Sequence, residues 1–466
     1  MSDRGELAIV LHTHMPYVEG HGTWPFGEEW LWEAAATSYL PVLEVLDSLG
    51  TARSRAELTL SITPVLADQL AQPAAMARCI EFLSTIRPRS HELDIEAFRA
   101  AGDDLAVAEL ERGRELYSRA AMQLEELQAS GGLLAALGAH ATWTSSATHA
   151  ILPLLMLDEG IGLQVKTGIE AFRHRFGDWG GGFWLPECAH TPGLGHHLTE
   201  AGVHACCVEL TSVMGLGDER HLRPRQCDEG PVLWPIDRHV LDLVWSERGY
   251  PAAAAYRDYH HRSAHDHRVW ANDGSSYDAA RALSQAYADA RAFVTAVRDR
   301  LRHGGLCVFA IDTELLGHWW YEGPSWLAAV IEEADRQGLS LTGLNDQTAE
   351  RHQPVRENLP DELFASSWGQ GGDLRSWSGP KVAQFAWRAR VAELKTFMGE
   401  PAPSDYALRA LLALQASDWA FLADREWAAE YPEQRASAHL KALHAALAGA
   451  PEGTELSHLA PWLARN

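Results

Sequence analysis

The sequence contains no uninterrupted apolar run of the roughly 18 residues that a membrane-spanning helix requires. Its start lacks the charged region, long apolar segment and small-residue cleavage site of a secretory signal. The six cysteines are sparse and do not have the spacing of zinc ligands, which favours reduced thiols over a disulfide framework. We therefore expect a cytoplasmic protein without structural disulfides.

The chain also has few positively charged residues. The chain has 39 Lys and Arg against 63 Asp and Glu, and its formal net charge is −24. This balance argues against a general nucleic-acid binder. Phosphate-binding glycine motifs are missing as well, since neither GxxxxGK[ST] nor a GxGxxG between a strand and a helix occurs. We expect no nucleotide cofactor, no nucleic-acid partner and no membrane partner.

What the sequence does have is the composition of an ordinary globular protein. Its 466 residues are 46% hydrophobic and 22% charged, enough for a large core divided among two or three domains. The 18 tryptophans and 23 histidines exceed what a core needs. Aromatic platforms that stack on sugar rings are one use for such residues, and packing is the other.

Short apolar runs alternate with helical patterns through the N-terminal part of the chain. The runs predict strands at residues 6–11, 57–62, 135–145, 182–185, 203–209, 232–236, 241–245 and 306–311. Helical spacing predicts helices at residues 163–176, 195–202, 277–302 and 325–337, and a helical insertion at about 64–130. Repeated strand-to-helix units predict a parallel α/β architecture, either a closed barrel or an open sheet.

The strand signal ends near residue 378. Helical patterns follow at residues 381–398, 404–416, 425–447 and 455–463. We therefore expect an α/β domain over residues 1–352 and an all-helical domain over residues 353–466, with the boundary between residues 353 and 363.

The motif His12-Thr-His14 follows directly after the first predicted strand. Alternate residues of a strand point to the same side, so both imidazoles can face one cleft. Two other interpretations stay open. The histidines can be held by local hydrogen bonds alone, or they can be part of a metal site of a metal-dependent hydrolase together with Asp312.

Two carboxylates also stand at predicted strand ends. Glu187 follows a short strand among aromatic residues and proline, where it can act as a nucleophile or base, or merely cap the next helix. Asp312 ends an apolar strand and precedes a segment rich in aromatics, with Glu314 and His318. Reactive groups in parallel α/β folds lie at these ends. A pair of carboxylates roughly 5 to 5.5 Å apart is what retaining glycoside chemistry needs.

Tryptophans occur on a glycine-rich segment near the start of the helical part. Trp368 and Trp377 flank this segment, and Asp418 with Trp419 follows later. Exposed indoles on loops can stack on sugar faces. The alternative is that they pack between the two domains.

Together these segments resemble glycoside hydrolase family 57, in particular its α-glucan branching-enzyme group. The resemblance covers nearly the whole chain and rests on eight segments in the family's order. They are residues 11–17 (LHTHMPY), 24–33 (WPFGEEWLWE), 146–149 (SATH), 184–189 (WLPECA), 245–251 (WSERGYP), 312–324 (DTELLGHWWYEGP), 367–369 (SWG) and 415–419 (QASDW).

The resemblance implies a fold, an activity and a set of site residues. The fold is an incomplete (β/α)7 barrel with a helical insertion and an all-helical C-terminal domain. Glu187 is implied as the nucleophile and Asp312 as the general acid/base of a 1,4-α-glucan branching enzyme, with no metal and no other cofactor. Implied glucan-binding residues are His12, His14, His149, Trp184, Trp270, Trp368, Trp377 and Asp418.

The chain departs from that group in two places. Branching members similar to it carry a tyrosine on a flexible loop over the site, whereas residues 208–233 contain no aromatic residue. Residues 265–270 are also altered, reading HDHRVW. The same two carboxylates can serve an α-glucan hydrolase or a 4-α-glucanotransferase, and these remain the alternative, as does a glucan-binding protein with an inactive site.

Overall fold

The protein is described by a computed structural model that covers residues 5–49, 56–227, 230–357, 359 and 365–465. The strands are β1 Glu6–Thr13, β2 Thr59–Ile62, β3 Ala141–Ser145, β4 Gly182–Trp184, β5 Ala205–Val208, β6 Arg225–Gln226, β7 Val232–Pro235, β8 Leu306–Asp312, β9 Ser340–Leu341 and β10 Val355–Arg356. They form one ten-stranded sheet in the order β10-β6-β7-β5-β4-β3-β2-β1-β8, with β9 paired to β1.

Within the described chain, the sheet is parallel except where β6 pairs with β7. β1 and β8 are almost entirely buried, because helices cover both faces of a parallel sheet. The sheet curls until the Asp237 N–H donates to the Val308 carbonyl, 2.9 Å away, which brings the end of β7 beside β8. This curled sheet confirms the incomplete (β/α)7 barrel.

Helices alternate with the strands and form the predicted insertion. Those up to β3 are α1 Glu28–Ala34, α2 Leu40–Leu49, α3 Pro64–Leu70, α4 Pro73–Glu81, α5 Arg87–Ala101, α6 Asp104–Gln128 and α7 Gly132–Gly138. Those up to β10 are α8 Asp158–Phe176, α9 Leu194–Glu200, α10 Thr211–Met214, α11 Arg238–Leu241, α12 Ala279–Arg300, α13 Gly323–Gln337 and α14 Asp346–His352. The insertion predicted at 64–130 corresponds to α3 through α6, since their apolar residues recur at helical spacing.

The C-terminal region is helical. It contains α15 Arg375–Ser378, α16 Ala383–Phe397, α17 Asp405–Gln415, α18 Asp418–Arg425 and α19 Tyr431–Leu447. This region packs on the barrel at the carboxyl ends of the strands: the Thr148 hydroxyl donates to the Leu412 carbonyl at 2.6 Å, and Gln164 donates to Gln415 at 3.0 Å. Segments from the end of the chain therefore reach the edge of the sheet where parallel folds place their active sites.

Three local expectations were wrong. Residues 241–245 are not a strand, because the Asp237 side chain caps α11 by accepting from the Val240 N–H. Residues 135–138 belong to α7 rather than to β3, with leucines buried at helical spacing. The helix expected at 455–463 is reduced to one 3₁₀ turn, Thr454–Leu456, since the Ala460 backbone has a positive φ of 46° and Pro461 follows.

The predicted domain boundary at 353–363 falls partly on residues 358 and 360–363, which lie outside the described residues. All six cysteines lie in the described ranges, and none of them forms a disulfide there. No helix in the described ranges is both long and apolar enough to span a bilayer.

Candidate active site

A cavity of about 1490 Å³ opens at the carboxyl edge of the sheet. Side chains that follow several different strands line it, and the C-terminal region closes one side. The predicted site residues in its lining are His12, His14, His149, Glu187, Asp312, Trp368 and Asp418.

Two motifs lie side by side in this cavity because β1 and β8 are paired in register. His12 is the Cα partner of Asp312, and each is followed two residues later by a second titratable group, His14 and Glu314. Glu314 accepts hydrogen bonds from the His14 backbone N–H at 3.1 Å and from the Tyr39 hydroxyl at 2.7 Å. Strand register thus places two imidazoles beside two carboxyls.

Glu187 stands on a tight turn after β4. Its backbone is in the left-handed region at φ 60°, and so is that of Cys188 at φ 50°. Such a conformation costs a non-glycine residue about 1–3 kcal/mol and persists only when the surroundings hold it. Trp368 holds it twice: its backbone N–H donates to the Glu187 carbonyl at 3.0 Å, and its indole N–H donates to the carboxylate at 2.7 Å.

The three histidines form a stacked group beside Glu187. The Nε2 atoms of His12 and His149 are 3.0 Å apart, and the rings of His14 and His149 are stacked at 4.0 Å. His14 Nε2 is 3.0 Å from Asp418 Oδ1, and His149 Nδ1 is 3.9 Å from Glu187 Oε1. Asp418 therefore brings a carboxylate from the C-terminal region into the barrel.

The histidines differ in charge because their surroundings differ. Burial lowers the pKa of His12 and of His149 well below the usual range, and neighbouring imidazoles lower it further, so both are neutral. Burial also opposes the charge on His14, but the Asp418, Glu314 and Glu187 carboxyls together outweigh burial, and the pKa of His14 is raised. Of the three imidazoles, His14 is therefore the one that is most readily protonated.

Burial raises the pKa of both candidate catalytic carboxyls. Burial raises the pKa of Glu187 to about 7, although the Trp368 hydrogen bond opposes the shift. Burial raises the pKa of Asp312 well above its usual range, and the carboxyls of Glu187 and Glu314 raise it further. A raised pKa keeps a proton on Asp312 for donation, and the Trp368 hydrogen bond favours the ionised form of Glu187 that a nucleophile needs.

We expect the pH dependence of kcat/KM to reveal the hydrogen bond from the Trp368 indole to Glu187. Since that indole N–H lowers the pKa of Glu187, Trp368→Phe will raise it and move the acidic limb of kcat/KM to higher pH by about 0.5–1 unit. Trp377→Phe is the matched control, because Trp377 is buried nearby against Phe421. A limb that stays in place, or moves to lower pH, in the Trp368 variant would contradict this role.

Ionising Glu187 should also destabilise the fold. The folded protein raises this pKa from 4.5 to about 7, so the penalty is absent below the unfolded value, grows between the two values and is complete above the folded one. At pH 8 we expect Glu187→Gln to be more stable than the parent by about 3 kcal/mol, with almost no difference near pH 4. Thermal unfolding at both pH values measures this, with the exposed Glu126→Gln as control. Equal melting temperatures at pH 8 would refute it.

Three predicted tryptophans lie outside the cavity lining. Trp184 is fully buried beneath the site, stacked on His12 at 4.6 Å and edge-on to Trp368 at 5.0 Å. Trp377 is buried in the C-terminal core against Phe421. Trp270 stacks on the His261 ring at 3.7 Å. Trp184 can support the site from below, whereas Trp377 and Trp270 are engaged in packing.

The sequence interpretation missed an ion pair next to Glu187. Arg238, which begins α11, donates to Glu209 at 3.0 Å and to the Trp368 carbonyl at 2.6 Å. Glu209 directly follows β5, so its place at a strand end was an available signal. The pair anchors the Trp368 backbone, and through it the hydrogen bonds that hold Glu187.

The segment without aromatic residues faces the same cavity. It contains α10 and a short 3₁₀ turn, and its contribution to the lining is Glu209, Thr211 and Ser212. Small polar side chains therefore border the cavity here. In the described part of the chain, no group of three or more His, Cys, Asp or Glu side chains could hold a metal ion.

The chain is similar to known proteins along nearly its whole length. Residues 134–360 match the model of glycosyl hydrolase family 57, and residues 400–464 match that of the C-terminal region of 1,4-alpha-glucan branching enzyme. A 1,4-alpha-glucan branching enzyme of Thermococcus kodakarensis is 30% identical over 95% of this chain and 73% of its own length. A probable one of Mycobacterium tuberculosis is 31% identical over 94% and 91%.

A solved structure shows the same fold. The family 57 branching enzyme of Pyrococcus horikoshii superposes with a TM-score of 0.85 at 31% identity, covering 98% of this chain and 93% of its own.

Proposed function

Because the chain belongs to glycosyl hydrolase family 57, we propose that it is a 1,4-α-glucan branching enzyme acting in glycogen-type synthesis. It would cleave an α-1,4 bond of a glucan and transfer the released chain to a glucan 6-hydroxyl. One observation carries the choice: Asp418, in the region similar to branching-enzyme C-terminal regions, enters the barrel and hydrogen-bonds to His14. Residues 1–352 would form the catalytic domain and residues 353–466 a helical domain that completes the glucan site.

The first half of the proposed reaction forms a covalent intermediate. The Glu187 carboxylate attacks the anomeric carbon while Asp312 gives its proton to the leaving glycosidic oxygen. The α-1,4 bond breaks and a glycosyl ester forms on Glu187, which loses its negative charge. The pKa of Asp312 then falls, because one of the two carboxylates that raised it is neutral.

The second half transfers the chain. Asp312, now a base, takes the proton of the acceptor 6-hydroxyl as that oxygen bonds to the anomeric carbon and the ester breaks. Neutral His12 and His149 can donate or accept hydrogen bonds with sugar hydroxyls, and His14, when it is protonated, stabilises Glu187 as that side chain becomes a carboxylate again. Trp368 orients that carboxylate throughout.

A hydrolase or 4-α-glucanotransferase with the same carboxylates is the second candidate. The observation that favours it is the border formed by Thr211 and Ser212, where no aromatic side chain from residues 208–233 covers the intermediate. Water that reaches the ester would release a reducing end, and a 4-hydroxyl would form a longer linear chain.

The test is to incubate the protein with amylose and to measure new α-1,6 linkages by proton NMR and new reducing ends in the same samples. A branching enzyme forms more α-1,6 linkages than reducing ends. Reducing ends without branches would identify a hydrolase, and redistributed linear chains a 4-α-glucanotransferase. Glu187→Gln is the control for background signal. If the unmodified protein gives none of these products, the proposal is wrong.

A further inference from the structure

Three aromatic side chains form a continuous strip at one side of the cavity. Tyr259 stacks on Trp319 at 4.7 Å with an interplanar angle of 28°, and Trp319 lies 5.4 Å from Trp427 at 36°. All three line the cavity. Trp319 and Trp427 are 37% and 53% exposed, although large indoles usually bury most of their surface. We call these residues the aromatic strip.

The strip joins the two parts of the chain. Tyr259 and Trp319 come from barrel loops, whereas Trp427 follows α18 in the C-terminal region. The Arg268 guanidinium lies 4.0 Å from the centre of the Tyr259 ring and donates to the His318 carbonyl at 2.9 Å. On the other side, Phe421 packs edge-on against Trp427 at 5.7 Å. The strip is therefore held at both ends, while part of the Trp319 and Trp427 indole surface stays exposed.

The position of the strip relative to the reacting groups indicates its partner. Trp319 is on the loop that starts at Asp312, and its backbone N–H donates to the Glu314 carbonyl at 3.2 Å. In the proposed mechanism Asp312 protonates the leaving chain and later deprotonates the acceptor. The leaving chain and the acceptor chain therefore occupy the same place in turn, on the far side of the scissile bond from the sugar that is attached to Glu187. The loop after Asp312 borders that side.

We propose that the aromatic strip binds the acceptor glucan, with pyranose rings packed against the exposed indole surface of Trp319 and Trp427 while a 6-hydroxyl reaches Asp312. This inference rests on the proposed function and extends it by naming a site for the second chain. The faces of a glucose ring are apolar C–H surfaces and its edges carry hydroxyls. Flat, exposed indoles that continue into the cavity suit such a neutral ligand. An acceptor chain bound there is held close to the glycosyl ester, so it can react with the ester before water does.

Direct binding tests the strip without interference from turnover. In a Glu187→Gln background we would measure maltoheptaose affinity by calorimetry and add Trp427→Ala, which we expect to weaken binding by about tenfold. Trp427→Phe keeps a flat ring and should recover most of the affinity. Trp387→Ala is the matched control, because Trp387 is 68% exposed on α16 and does not line the cavity. Equal affinities of the Trp427 and Trp387 alanine variants would overturn the proposal.

The fate of the intermediate tests whether the bound chain is the acceptor. In the otherwise unmodified enzyme, Trp427→Ala should lower the number of α-1,6 linkages per new reducing end about threefold or more, since a tenfold weaker acceptor competes less well with water. An unchanged ratio, with both products reduced equally, would assign the strip to the cleaved chain and overturn the proposal. If the unmodified enzyme branches amylose but the ratio does not fall, this inference alone fails. If it makes no branches at all, the proposed function fails first.

Discussion

Replacing Glu187 by Gln should reduce both branching and hydrolysis of amylose by at least about 10⁴-fold. The amide cannot form the glycosyl ester, so neither the transfer nor the hydrolytic route can begin. The carbonyl oxygen of the introduced amide would still accept the Trp368 hydrogen bond, so the turn at φ 60° should persist. Initial rates on amylose measure the effect, and near-ultraviolet circular dichroism checks that the fold is kept.

Azide distinguishes a lost nucleophile from general damage. In Glu187→Ala the small anion can occupy the vacated space and attack the anomeric carbon from the same side, in one displacement. The product from an α-glucoside would then be a β-glycosyl azide. Restoration of the α-anomer, or activity of Glu187→Gln within tenfold of the parent, would contradict the assignment of Glu187 as nucleophile.

Replacing Asp312 by Asn should have an effect that depends on the leaving group. With amylose, whose leaving alcohol needs a proton, we expect a loss of about 10²–10⁴-fold. With 2,4-dinitrophenyl α-maltoside, whose leaving group departs without a proton, formation of the glycosyl ester should change by less than about tenfold. Pre-steady-state release of dinitrophenol measures that first step, and a burst should appear because the second step is slow.

The same variant provides a stereochemical control. Azide needs no base, so it should accelerate the second step of Asp312→Asn and give an α-glycosyl azide by two inversions. Equal losses with amylose and with the activated maltoside would argue that Asp312 is not the general acid/base. Glu314→Gln is the comparison, because Glu314 is buried beside Asp312 and contributes to its raised pKa. That variant keeps the Asp312 proton donor, so its losses with amylose and with the activated maltoside should differ far less than those of Asp312→Asn.

The local sequence pattern determined which segments form several strands of the barrel. Apolar runs at the positions of β1 and β8 are strands because their side chains are buried on both faces, and period-two alternation follows from strand geometry. His12 and Asp312 stand near the carboxyl ends of these two strands, and the parallel register places them opposite each other. The eight segments that resemble glycoside hydrolase family 57 identified the family to which the chain belongs.

Long-range contacts decided the rest of the site. The sequence could not show that Asp418 would meet His14, 404 positions earlier, or that Trp427 would approach Trp319 across the cleft. The sequence predicts Trp270 and Trp377 as glucan-binding residues, and only the fold shows that Trp270 lies on His261 and Trp377 in the C-terminal core, both outside the cavity lining.

The physical reason is the range of the forces involved. Periodicity and turn chemistry act over a few residues, so a sequence by itself determines which segments are strands and which groups stand at their ends. A tryptophan has the same local signature whether it lines a cavity or fills a core, because only packing against distant segments decides how much of its surface remains exposed. The charges at the site also depend on tertiary structure, since burial between the barrel and the C-terminal helices raises the pKa of Glu187 and of Asp312.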